Sequence, residues 1–251
     1  MRARLRERAR EAVDLEWRTL REAIARAAPA ASGRLLDVGC GDKPWEAALR
    51  PYVTEHLGVE YAPTAQDSVA LAAGRADVVY SSDELPFEPA SFDTVLCTQV
   101  LEHVPDPGAL MADMARVLRP GGALIVTVPF AFRIHYEPHD FWRFTSYALA
   151  ELAARAGLTV ERLEARGGSW LVVGHKLTTW LAFGVARLDA EAQRAGGRGY
   201  EAPAATRPRL WTLPAVAPAL LAVAAAARAA DRRSRDRHDT LGYLLVARKP
   251  A

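Results

Sequence analysis

Residues 35–41 read Leu35-Leu36-Asp37-Val38-Gly39-Cys40-Gly41, an apolar run that breaks into a glycine turn. A run of this kind suits a strand buried on both faces, and glycines after it let a ligand come within contact distance of the backbone. The start of the helix that follows offers unpaired N–H groups. Glu60 lies nineteen residues beyond Gly41, at the end of the next apolar run. A carboxylate there can accept hydrogen bonds from both hydroxyls of a ribose. A dinucleotide turn would need a small residue at position 44, which is Pro44, and Asp37 would repel a pyrophosphate. The turn therefore favours an adenosine ligand carrying a cationic amino or sulfonium group over a nicotinamide dinucleotide.

Outward from this turn, short apolar runs alternate with helical patterns. Strands are expected at Arg34–Val38, His56–Glu60, Ala76–Tyr80, Phe92–Cys97, Ala123–Val128, Leu158–Leu163 and Leu241–Ala247. A short helix is expected near Pro44–Leu49. Another follows Asp106, which can cap it, with Pro107 in its first turn and Leu110, Met114 and Val117 on one face. A further helix spans Ser146–Ala156 and stops at Gly157. Residues 2–28 read as one amphipathic helix, with Leu5, Ala9, Val13, Trp17, Leu20 and Ile24 at three- and four-residue steps. Strands and helices alternating at this spacing predict an open α/β sheet with crossover helices.

The composition is that of a globular chain: 251 residues, 50% hydrophobic, 25% charged. Two cysteines, Cys40 and Cys97, exclude a disulfide scaffold and fit a reducing compartment. The N-terminus is too charged for a signal peptide, so the cytoplasm is the expected location. The net charge of +2 averages two unlike parts. Residues 165–238 hold twelve Arg and Lys against five Asp and Glu, or +7, which leaves −5 for the rest.

With LLDVGCG at 35–41 and Glu60, the motifs DELPF (83–87), SFDTVLCTQVLEHV (91–104) and RVLRPGG (116–122) resemble class I S-adenosylmethionine-dependent methyltransferases of the type 11 group. The resemblance covers 34–164 and the last strand. It implies a Rossmann-like α/β fold: a seven-stranded, mostly parallel sheet, its last strand antiparallel and set beside the sixth, with helices on both faces. Three parts are expected: an N-terminal helix (1–30), a methyltransferase core (31–164 with 239–251), and a helical insertion before the last strand (165–238). The resemblance implies S-adenosyl-L-methionine as cofactor. Asp37, Gly39, Cys40 and Gly41 would line its methionine end and Glu60 would hold its ribose. The backbone of Asp83, Glu84 and Leu85 would flank the adenine, and Thr98 and Gln99 would border the reactive methyl. The acid that commonly reads the adenine amino group aligns with Ser81, where Asp83, a serine hydroxyl or a backbone carbonyl must serve instead.

The chemistry is expected after the fifth strand, in Phe130–Thr145, where two histidines, two acids and two arginines stand among aromatics. The spacing His135-x-x-Pro138-x-Asp140-x-x-Arg143-x-Thr145 resembles a subset of the type 11 group associated with glycans and the cell envelope. In one reading His135 is a general base oriented by Asp140, and Arg143 binds a substrate anion or pairs with Asp140. In the other the segment is a rigid, ion-paired lid. His135, His139 and Asp140 lack a further clustered ligand, so no metal is expected.

The acceptor is expected to be a small molecule, a sugar or a lipid-linked glycan. A nucleic acid is disfavoured by the acidic core and by the absence of an Asn-Pro-Pro-Tyr-type motif. The other readings are a cofactor-binding partner protein without catalysis and an NAD-dependent oxidoreductase. Within the insertion, Leu210–Ala227 is an uncharged stretch of eighteen residues with Pro214, Pro218 and eight alanines. It fits a helical lid, an element resting on the inner face of the membrane, or a membrane span.

Overall fold

The computed structural model describes residues 11–62, 74–187, 209–234 and 236–251. They form two compact units, one from the described residues within 1–20, 131–140 and 166–241, and one from those within 21–130, 141–165 and 242–251.

The second unit is built on a seven-stranded sheet. Its strands are β1 (Arg34–Val38), β2 (Glu55–Tyr61), β3 (Val78–Tyr80), β4 (Phe92–Thr98), β5 (Leu118–Pro129), β6 (Thr159–Ala165) and β7 (Gly242–Arg248). Their order is β3-β2-β1-β4-β5-β7-β6. The first five are parallel, and β7 runs antiparallel between β5 and β6. Strand order reverses about β1, which pairs Val38 with Val59 on one side and with Cys97 on the other. The carboxyl ends of β1, β2 and β4 therefore lie side by side, the usual ligand crevice of an open α/β sheet. Helices stand around this sheet, among them α2 (Glu46–Leu49), α3 (Pro107–Val117) and α4 (Ser146–Arg155).

The cap expected at Asp106 forms, and Thr145 supplies a second one not named from the sequence. Asp106 accepts the Ala109 N–H at the start of α3, and Thr145 accepts the Ala148 N–H at the start of α4. Met111, Met114 and Val117 of α3 and Leu149 and Ala153 of α4 pack with Val95, Leu124, Val126 and Leu245 in the main core. Strand β5 starts earlier than expected, at Leu118 rather than Ala123. Its pairing jumps from Phe92–Leu118 to Thr94–Ala123, so Arg119-Pro120-Gly121-Gly122 bulges out of the ladder instead of separating helix from strand.

The first unit is helical. The expected single helix over 2–28 falls partly outside the described residues, and its described part is broken. Residues 11–13 are helical, Asp14 is not, and α1 runs over Leu15–Ala27. The physical reason is a new cap: the Asp14 carboxylate accepts the Trp17 N–H at 2.9 Å. Both apolar runs of the insertion are helical, as α5 (Ser169–Thr179) with a π-helical extension over Trp180–Val185, and α6 (Leu213–Arg233). The two pack where Gly174 meets Ala227, an approach that leaves no room for a Cβ on Gly174. Arg166 is fully buried and donates to Glu16 at 2.6 Å.

Candidate functional site

The glycine turn ends β1. Gly39 and Gly41 both have positive φ, 68° and 50°. Their roles differ. A Cβ on Gly39 would collide with Val100, whereas one on Gly41 would meet nothing within 4 Å. Gly39 thus lets the turn pack, and Gly41 faces open space. Cys40 is buried, and burial with the nearby Glu60 charge pushes its thiol up to about 12, so it is no nucleophile.

Asp37 is completely buried. Its Oδ2 accepts from His56 Nε2 at 2.9 Å, while Oδ1 has no hydrogen-bond partner among the described residues. Burial raises its pKa, an effect the His56 hydrogen bond only partly offsets. A buried carboxylate oxygen without a donor is expensive unless a ligand supplies one. Glu60, at the end of β2, reaches back to accept the Gly41 N–H at 2.6 Å. Burial and then the Asp37 charge raise its pKa, with the Gly41 N–H working against them. One hydrogen bond thereby holds together the two residues that the sequence pairs at a distance of nineteen.

Three further residues buttress the turn. Lys43, itself buried and at positive φ, forms an ion pair with Asp77 and donates to the His56 carbonyl at 3.2 Å. Asp77 also accepts the Gly58 N–H at 2.6 Å. Burial opposes the effect, but the Gly58 N–H and Lys43 hold the Asp77 carboxyl below its ordinary value. Trp45 Nε1 donates to Thr98 Oγ1 at 3.1 Å, tying the turn to the end of β4. Gln99 sits there at positive φ, with its N–H on the Thr127 carbonyl and Nε2 donating to Thr127 Oγ1. A non-glycine residue so placed is strained backbone at a ligand crevice.

After β3, Ser81, Asp83 and Glu84 are exposed and Leu85 is buried. This loop is clamped from α3. Asp113 accepts the Leu85 N–H at 2.5 Å and Arg116 Nε at 2.6 Å, while Arg116 donates to the carbonyls of Leu85 and Phe87. His56, Lys43, Asp77 and Asp113 are not among the residues singled out by sequence, and Arg116 is there only as the first residue of the RVLRPGG motif. A polar Asp113 on the buried side of an otherwise apolar helix was the one available signal.

The segment Ala131–Asp140 belongs to the helical unit. Phe132 stacks on His175, with ring centroids 5.4 Å apart, and the Arg133 guanidinium lies 4.3 Å over the Phe183 ring. Burial pushes the His175 imidazole down to about 4, so it is neutral. His135 and Asp140 come together: Asp140 Oδ2 accepts from the His135 backbone N–H at 2.9 Å and from Nδ1 at 3.2 Å. His139 does not join them in a three-ligand cluster among the described residues. Arg143 donates to the Trp142 carbonyl.

Residues 6–163 match the family described as methyltransferase domain. A Mycolicibacterium smegmatis protein named as an S-adenosylmethionine-dependent methyltransferase is 32% identical over 225 residues, covering 86% of this chain and 81% of its own length. A ubiquinone biosynthesis O-methyltransferase of Thiobacillus denitrificans is 31% identical over 159 residues, 54% of this chain and 68% of the relative. For the ubiquinone biosynthesis O-methyltransferase of Paracidovorax citrulli the match spans 43% of the relative's length. Among solved structures, the Haloferax volcanii complex of a methyltransferase with the Trm112 methyltransferase activator resembles this fold, with a TM-score of 0.54 and 21% identity over 99% of this chain and 96% of that one.

Proposed function

The chain belongs to the class I S-adenosylmethionine-dependent methyltransferases, and we propose that it methylates a hydroxyl of a small-molecule, sugar or lipid-linked acceptor. S-adenosyl-L-methionine supplies, when bound, a methyl group already activated on a sulfonium. The residues of the turn fit this cofactor. The observation that carries the reading is Asp37 Oδ1, a buried carboxylate oxygen with no partner among the described residues, beside a glycine that faces open space. A cationic amino acid end satisfies that oxygen, and a pyrophosphate would be repelled by it.

Asp37 receives the cationic end and Glu60, aligned by the Gly41 N–H, receives the ribose hydroxyls. Leu85, with Asp83 and Glu84, borders the adenine on a loop held by Asp113 and Arg116. Thr98 and Gln99 border the methyl. On the acceptor side, Asp140 keeps His135 Nδ1 protonated, which makes Nε2 the basic nitrogen. His135 would take the proton of an acceptor hydroxyl as a general base, a contribution of about 10²–10⁴-fold. The O-methyltransferase relatives support oxygen as the nucleophile. The spacing from His135 to Thr145 supports glycan acceptors within that class.

The experiment pairs S-adenosylhomocysteine calorimetry with transfer of tritiated methyl to a panel of phenols, sugars and prenylated hydroxy compounds. His135→Ala and Asp140→Ala are expected to bind the cofactor normally and to lose about two orders of magnitude or more in kcat. Near-normal turnover in both variants refutes the base; failure of the wild type to bind S-adenosylhomocysteine refutes the cofactor site.

A further inference from the structure

We infer that the α5–α6 pair is a docking surface for an anionic phospholipid bilayer. Helix α5 buries Leu171, Gly174, His175 and Thr178. On its other side Trp170, Val173, Leu177 and the adjoining Trp180 are 46–62% exposed. Steps of three and four residues put these four side chains on one face. A water-facing stripe of this kind ordinarily carries charge.

Helix α6 repeats the arrangement. Its buried positions are Val216, Leu220, Ala224, Ala227 and Asp231. The exposed positions from 214 to 226 are proline, alanine or leucine, with no polar side chain among them. Trp211, just before the helix, is 80% exposed, and its neighbour Leu210 is 62% exposed. Scattered exposed apolar residues are normal, but contiguous apolar faces mark interaction surfaces.

Charge selects the partner. Lys176 is exposed beside the apolar face of α5, four residues before Trp180. Arg209 precedes Leu210 and Trp211, and exposed Arg232 and Arg233 close α6. Residues 165–238 carry +7 against −5 for the remainder. Tryptophans and alkyl side chains edged by Arg and Lys match the headgroup layer of an anionic membrane, where rings sit at the boundary and cations meet phosphate.

The geometry points to a helix lying on the bilayer rather than crossing it. Leu210–Arg233 is long and apolar enough to span by length and composition. Its inner side is already used, however. Val216 and Leu220 pack with Ala186, and Ala224 and Ala227 pack with Leu15, Leu171 and Leu241. A span would strip those contacts, whereas interfacial docking keeps them and covers only the exposed face. The inference does not depend on which acceptor is methylated.

The test uses the purified full chain, floated with vesicles of phosphatidylcholine alone or mixed equally with phosphatidylglycerol. The wild type is expected to float with the mixed vesicles only and to be released by salt. Arg232→Gln with Arg233→Gln should lower partitioning about thirtyfold, two basic side chains at about 1 kcal/mol each. Trp180→Glu with Trp211→Glu should abolish flotation while leaving the melting temperature unchanged, since both rings are exposed. Four results overturn the inference: no flotation of the wild type, undiminished flotation of the tryptophan variant, a dimer that the tryptophan variant dissociates, or retention in cell membranes through an alkaline carbonate wash. The third would make a second copy the occupant of the face, and the last would make α6 a span.

Discussion

Replacing Asp37 by Asn should stabilise the protein and cripple its cofactor binding at the same time. The carboxylate is fully buried, and among the described residues only Oδ2 of its two oxygens has a partner, His56 Nε2 at 2.9 Å. Burial raises its pKa. A carboxyl whose folded pKa lies above its unfolded one binds protons more tightly when folded. Its contribution to stability is therefore least unfavourable in acid and worsens as the pH rises from the ordinary aspartate range through the folded value. Wherever it is ionised, the half-satisfied group is a burden. A buried polar atom without a partner costs about 1–3 kcal/mol, and the amide oxygen of Asn can still accept from His56. Asp37→Asn removes the buried charge, but its amide nitrogen then takes the position without a partner, so the gain should be about 1 kcal/mol, or about 2–4 °C in melting temperature for a chain of this size.

The same change removes a charged acceptor. Hydrogen bonds to charged groups contribute about 1.5–3 kcal/mol, so S-adenosylhomocysteine should bind about tenfold to a hundredfold more weakly. Scanning calorimetry of the ligand-free protein and titration calorimetry with S-adenosylhomocysteine measure both halves. Repeated across a pH series, the wild type should bind more weakly as Asp37 takes up its proton, and the Asn variant should lose that part of the slope. A variant that melts lower than the wild type, or binds the ligand equally well, refutes the reasoning.

Glu60→Gln keeps an acceptor for the Gly41 N–H but loses the charge, and should weaken S-adenosylhomocysteine about tenfold or more by titration calorimetry. Arg166→Ala leaves Glu16 buried without its cation and should destabilise by about 3–5 kcal/mol in a urea titration. Arg166→Met combined with Glu16→Leu should recover most of that loss, because an apolar pair of similar volume needs no partner. Asp113→Ala frees the Leu85 N–H and should speed amide exchange at 84–87, a change visible by hydrogen–deuterium exchange. It should raise the KM for the cofactor severalfold while leaving saturated turnover nearly intact.

Much of the fold could be read from local patterns. The strand at Arg34–Val38 has the expected bounds, and the caps at Asp106 and Thr145 form because a short polar side chain before an apolar run has nearby N–H groups to accept. The break at Asp14 follows the same rule. Asp14 precedes the Glu16–Trp17 pair just as Asp106 precedes Gly108–Ala109, yet the apolar periodicity running through position 14 masked it. That β7 is antiparallel and beside β6 came from family resemblance and not from any local signal, and its place between β5 and β6 came from the structure. It rests on pairs such as Leu124 with Ala247, far apart in sequence.

For the candidate site the division is similar. Sequence alone determined which residues line the turn, because a strand, two glycines and a carboxylate nineteen residues on obey local backbone rules. It also brought His135 and Asp140 forward as neighbours within one short segment. Tertiary structure alone decided that Asp37 is buried with one oxygen left over, that His56, Lys43 and Asp77 support it, and that Asp113 and Arg116 hold the loop after β3. Those facts depend on the parallel register of β1 with β2 and on the packing of a distant helix. Burial and hydrogen-bond satisfaction are set by neighbours in space, and a pattern along the chain carries only neighbours in sequence.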